Sequence, residues 1–391
     1  MKNLILHSFC YFVIAILLLG CSTGEKLPEV APELMANLSG YLKDQQQTPE
    51  EYILNKFEQH DVIFIGEYHR IKQNVELISR LIPILHQNGI YYLCTEFARR
   101  EDQHLIDSLL TSPEYDEALA RLITFNQYVF WGFQEYCDIY KSAWELNHNL
   151  PEESRKFRIL GVNDSPDWSY VKTPRDRDKH EVMKKVWQGG GEHLWAKVIL
   201  DEVIANGERT LVYSGIHHAF SEYKQPIVSG DGKFIRFEVT RMGNHVFSEV
   251  GKRAITIYLH ALWPSADGYG AKSVYTADGV IDAVMAQSSE EHYPVGFDVR
   301  GTPFGKLPGQ NSLYHHGYDD FTLEMFCDGY IFQVPFAQYQ GVTPIDGFID
   351  DGNIETARLQ APNPKYRDKD PEHFMKSMAR TADMERRFKG Y

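Results

Sequence analysis

Val62-Ile63-Phe64-Ile65-Gly66-Glu67-Tyr68-His69 is a run of four apolar residues that passes straight into a glycine, a carboxylate and an imidazole. The apolar run predicts a short buried strand. In an open α/β sheet, ligands bind in the crevice outside the carboxyl ends of the strands. A strand ending in Gly-Glu-x-His therefore puts two titratable groups where chemistry sits. Three more apolar runs end in polar residues of the same kind. Ile90–Cys94 runs into Thr95 and Glu96, Phe157–Leu160 into Gly161, Val162, Asn163 and Asp164, and Thr210–Tyr213 into Ser214, Gly215, Ile216, His217 and His218. A further run, Ala254–Leu259, ends at His260.

Helical signals separate these runs. Thr48-Pro49-Glu50-Glu51 has the cap, the proline and the acidic first turn of a helix start. Lys72 to Asn88 carries apolar residues at helical spacing, with Pro83 expected to kink it and Gly89 to stop it. Helical stretches are also expected over 101–110, 114–123, 133–147 and 192–205. Strands alternating with helices of this length predict βαβ units, hence a three-layer α/β fold with a largely parallel central sheet. Right-handed crossovers would bring every strand's carboxyl end to one rim. That rim would carry Glu67, His69, Glu96, Asn163, Asp164, His217, His218 and His260. Residues 45–300 are expected to form this domain, with 301–391 an irregular extension wrapping it and 372–388 a polar helical flank.

The first residues read as an export signal. Lys2 supplies the charge, and Leu4–Leu19 is an apolar run too short and too close to the N-terminus for a membrane span. Leu18-Leu19-Gly20-Cys21 resembles a bacterial lipobox. That resemblance implies a signal peptide over 1–20, a diacylglyceryl group on Cys21, and a tether over 21–44. Acyl chains in that number hold a protein stably on a membrane. Ser22 after the cysteine resembles outer-membrane sorting, so the expected place is the cell envelope, facing the periplasm. Cys94, Cys137 and Cys327 remain, and no CxxC pair occurs to suggest a thiolate zinc site. A formal net charge of −14, one unit more negative once Lys2 is lost, argues against nucleic acid as a partner.

Gly66-Glu67-Tyr68-His69, Thr95-Glu96, Gly161-Val162-Asn163 and Gly215-Ile216-His217-His218 occur in a telling order. The set resembles the superfamily joining ChaN-like haem-binding lipoproteins, Tiki metalloproteases and erythromycin esterases. Its hallmark is two Gly-x-x-His motifs at strand ends with a Glu ending a strand between them. Here these are Gly66 to His69, Gly215 to His218, and Glu96. The Glu-x-His spacing of Glu67 and His69 is closest to the ChaN-like branch. The resemblance covers about residues 60–260.

Two imidazoles and a carboxylate suit a divalent metal, with His69, His218 and Glu96 as ligands and open positions for water and substrate. Without metal, His69 could serve as general base, oriented by Glu67 or Glu96. Both routes lead to hydrolysis of an ester or amide in a small molecule or peptide, carried by Glu67, His69, Glu96 and His218. Arg70 could hold a substrate carboxylate. Asn163, Asp164, His217 and His260 stand as substrate-contacting or supporting candidates. His217, next to His218, is expected to point away on an extended strand end. The resemblance also implies a rival, a haem-binding lipoprotein in iron uptake, with haem in an apolar slot on an axial His or Tyr. A third alternative is a non-catalytic scaffold with a vestigial site. The hydrolase needs a compact, polar, acid-lined site and the haem protein a broad apolar one.

The lipobox leads to a direct test. Cys21→Ser should abolish incorporation of labelled palmitate and leave the leader uncleaved; normal labelling of that variant would refute the lipid anchor.

Overall fold

The computed structural model describes residues 26–268, 272–287 and 293–391. The leader and Cys21 lie outside the described residues. The strands are β1 (Val62–Glu67), β2 (Tyr92–Arg99), β3 (Arg158–Asn163), β4 (Thr210–Gly215), β5 (Gln225–Val228), β6 (Phe234–Glu238), β7 (Ala254–Leu259), β8 (Trp263–Pro264), β9 (Ser273–Val274), β10 (Val295–Asp298) and β11 (Gly329–Phe332). Seven of them form one sheet in the order β10-β11-β7-β1-β4-β2-β3. Every neighbouring pair in it is parallel except β10 with β11. The largely parallel three-layer sheet expected from the sequence is therefore the observed one.

The centre of the sheet is β1, paired with β4 on one edge and β7 on the other. All six of its residues are buried. A parallel strand covered on both faces must be apolar throughout, which Val62–Ile65 is. Alternation sends Ile63 and Ile65 into one core and Val62 and Phe64 into the other. Helices Lys72–Gln87 and Gln134–Asn149 fill the first core, and helices Glu192–Glu202 and Met242–Val250 the second.

The local signals are used as the sequence suggests. Thr48 caps helix Pro49–Lys56 with a reciprocal bond to Glu51. Helix Lys72–Gln87 continues through Pro83 and buries Val75, Ile78, Leu81, Ile82 and Leu85, and Gly89 follows it at φ 75°. The segment after residue 300 does more than wrap the domain. It supplies β11, parallel to β7, and its helix Pro371–Ala382 buries Phe374 and Met378 in the first core. No helix among the described residues is long and apolar enough to cross a membrane.

Ile63 has no exposed surface. Ile63→Ala should cost about 2–5 kcal/mol of stability in urea denaturation. A midpoint unchanged from the parent chain would contradict β1 as the buried centre.

Candidate active site

The alternation along β1 continues to its polar end. Gly66 falls on the face of Phe64, and the helical turn Ile216–Ala219 packs against it there. A Cβ on Gly66 would lie 2.4 Å from Ile216 Cδ1 and 3.1 Å from Ile216 Cα. Glu67 falls on the face of Ile65 and is 1% exposed. A carboxylate buried so deeply needs donors, and three are supplied. Tyr136 donates to Oε1 at 2.7 Å, His69 Nδ1 lies 2.8 Å from the same oxygen, and Tyr213 donates to Oε2. Burial, reinforced by the Glu67 charge, pushes both phenols well above their ordinary pKa, so they stay protonated donors.

Glu67 accepts only, so His69 Nδ1 carries the proton and Nε2 presents its lone pair. The His69 ring is held edge-on by Phe97 and Trp131, with centroids 5.8 and 5.1 Å away. Across from it is Gly215, where a Cβ would meet His69 Cε1 at 2.7 Å. The N–H of Gly215 donates to Glu96 Oε2 at 3.1 Å, which anchors that buried carboxylate. Glu96 stands between two imidazoles: His69 Nε2 is 3.6 Å from Oε1, and His218 Nε2 is 3.6 Å from Oε2.

His218 Nδ1 lies 2.9 Å from Glu192 Oε2. Glu192 is fixed in turn by Arg241 Nη1 at 2.8 Å and by the Met242 N–H at 2.7 Å. Burial alone would lower the His218 pKa, but Glu96 and Glu192 outweigh it and the net shift is upward. Its neighbour moves the other way. Burial, with Arg241 and His218 adding to it, pulls the His217 pKa down to about 3, and His217 Nε2 is 2.9 Å from the Tyr314 hydroxyl.

One cavity of about 460 Å³ opens at this point, and its lining includes Glu67, His69, Arg70, His217, His218, Tyr314 and Arg387. His217 thus faces the site instead of turning away. The chain leaves β4 at Gly215 and enters a helical turn at once, so the alternation of an extended strand does not apply. Asn163 and Asp164 act behind the site. Asn163 Nδ2 donates to the Glu96 carbonyl at 2.8 Å, and Asp164 accepts from the Gly191 N–H at 2.9 Å, which fixes the start of helix Glu192–Glu202. His260 belongs to the core. It has no exposed surface, its Nδ1 is 2.6 Å from the Tyr330 hydroxyl, and Phe332 and Phe336 cover it.

The expected metal set does not have ligand spacing. The two Nε2 atoms face different oxygens of Glu96 at 3.6 Å each, and among the described residues no group of three His, Cys, Asp or Glu side chains is spaced to hold an ion. Cys94, Cys137 and Cys327 are free and buried. Tyr136, Tyr213, Glu192 and Arg387 were not singled out from the sequence. The one available signal was that a buried tyrosine hydroxyl needs a partner, and it does not say which.

No family model matches the chain, and no curated protein matches it in sequence. Solved structures do. A succinoglycan biosynthesis protein aligns with a TM-score of 0.52 at 12% identity, over 81% of this chain and 100% of its own. A protein from Bacillus cereus gives 0.49 at 13% identity, over 81% and 99%. ChaN of Campylobacter jejuni, with cofacially bound haem, gives 0.34 at 14% identity, over 57% and 87%. The first of these shows that the fold is shared, and at such identities none carries its chemistry to this chain.

Proposed function

We propose that this protein is a hydrolase of an ester or amide bond, with His69 as general base. The observation that carries the proposal is the Glu67–His69 pair. Glu67 is buried and holds Nδ1–H, which fixes the tautomer and leaves the basic Nε2 toward the cavity. Nε2 can take a proton from water, or from a hydroxyl on the substrate, as it attacks the carbonyl. His218, whose pKa Glu96 and Glu192 raise, can supply a proton to the leaving group or a charge to the developing oxyanion.

Three imidazoles, two guanidinium groups and Glu67 line the cavity beside Tyr258, Leu262 and Pro264, and these polar groups support this reading. Glu96 accepts from the Gly215 N–H and faces His218, and no step is assigned to a metal ion. The same proposal puts the protein on the cell envelope, anchored through a lipid on Cys21, on the strength of the lipobox alone.

Assay of a panel of nitrophenyl esters and anilides tests the base. His69→Ala should lose about 10²–10⁴-fold in turnover while its stability changes by no more than about 1 kcal/mol. Glu67→Gln should fall comparably, since an amide no longer compels the Nδ1–H tautomer. A His69→Ala enzyme as fast as the parent would sink the proposal, and a parent inert on every probe would favour the vestigial scaffold.

The acid is tested by pH. His218 has a raised folded-state pKa, so its cation persists to higher pH than in a free histidine. The stability it adds is complete below the unfolded-state pKa and is lost as pH rises through the folded one. Glu192→Gln removes a charge that favours the cation, so the NMR titration of His218 should move to lower pH. An unmoved midpoint would show that Glu192 does not set it.

A further inference from the structure

The cavity carries two cations that the proposed chemistry does not use. Arg70 follows His69 directly, at φ 72°, a left-handed conformation costly for any residue but glycine. That turn lays its guanidinium over Trp131, 4.3 Å from the ring centroid, with Phe133 at 5.5 Å. Arg387 reaches the same cavity from the C-terminal segment and lies over Tyr68, 5.1 Å from its centroid. Among the described residues neither guanidinium has a carboxylate within ion-pair distance, and Arg70 Nε is buried without a partner. Burial lowers the Arg70 pKa, with Tyr136, Tyr128 and Glu67 acting against it. Glu67 acts only from a distance, because Tyr136, Tyr213 and His69 occupy its oxygens.

The whole sequence has a net charge of −14, so arginines on its surface have acids to pair with. Arg386, next to Arg387, shows the ordinary case: it pairs with Asp383 and donates to the Arg380 carbonyl. Holding two arginines over aromatic faces on the wall of a cavity gives up that pairing. A planar guanidinium binds carboxylate or phosphate oxygens with paired hydrogen bonds, and a stack on an aromatic ring fixes its orientation beforehand.

We propose that the cavity takes a substrate bearing an oxyanion, a carboxylate or a phosphate, clamped between Arg70 and Arg387 while the scissile bond faces His69. Tyr258, Leu262 and Pro264 on the cavity wall would receive the apolar body of the molecule. The inference rests on the proposed hydrolysis for calling this anion a substrate; the binding of the anion does not depend on turnover.

Calorimetry on the full-length protein distinguishes these points, with phenylacetate, phenylphosphonate and neutral phenylacetamide as probes. At least one of the two anions should bind roughly ten-fold or more tighter than the amide, and which one does identifies the oxyanion. Arg70→Met and Arg387→Met should each weaken that anion by roughly ten-fold, Arg387→Lys should weaken it less, and Arg386→Met should leave it unchanged. Methionine keeps an apolar stem over the ring, and a thermal melt of each variant checks that it is folded. Anion binding by a parent that hydrolyses none of the nitrophenyl esters and anilides would overturn the proposed activity and leave the clamp standing. Equal affinity for the amide, no binding of either anion, or an equal loss in Arg386→Met would overturn the clamp.

Discussion

Two close approaches between β1 and β4 hold the site together, and each uses a glycine from the other's motif. Gly66, on the first motif, makes room for Ile216 of the second; Gly215, on the second, makes room for His69 of the first. The spacing is tight enough that a methyl group at either position would overlap its neighbour. The two Gly-x-x-His motifs are therefore halves of one interlocked joint. Pairing between β1 and β4 sets the register, and the register sets His69 and His218 on either side of Glu96.

Three carboxylates lie within this small region, and their surroundings give them different work. Glu67 has its oxygens filled by two phenols and an imidazole, so it orients the His69 ring. Glu96 is fixed to a backbone N–H and faces both imidazoles. Glu192 sits at the start of a helix, where a negative charge is favoured, and ties His218 to Arg241. Buried charges persist only where such partners exist, and the network accounts for each of them.

Much of this was legible in the sequence because strand ends are local. Val62–Ile65 names the central strand, and the residues after it name Glu67 and His69. The parts that were not legible depend on distant elements. Tyr136 comes from a helix between β2 and β3, Glu192 from the start of a helix that Asp164 pins, and Arg387 from the far end of the chain. Nothing in their neighbouring residues marks them. His260 ends a strand just as Glu67 does, yet Phe332 and Phe336 close over it. A strand end marks the rim, and only the packing above decides whether it stays open. His217 was misjudged because alternation was carried one residue too far, past Gly215 and into a helical turn.

The place of β1 in the sheet also governs how the chain can fold. It is the first strand in the sequence, yet neither β2 nor β3 lies beside it. Val62 waits for Thr210 of β4 and Ala254 of β7. Closing such long loops costs entropy before any contact repays it, which slows folding. During synthesis, this buried strand emerges with both edges open and stays so until more than half the chain has been made. Exposed strand edges of this kind invite wrong pairing. An N-terminal fragment ending after β3 would hold β2 and β3 as neighbours and leave β1 without a place. In this fold the segment that carries Glu67 and His69 is without its strand neighbours until β4 arrives.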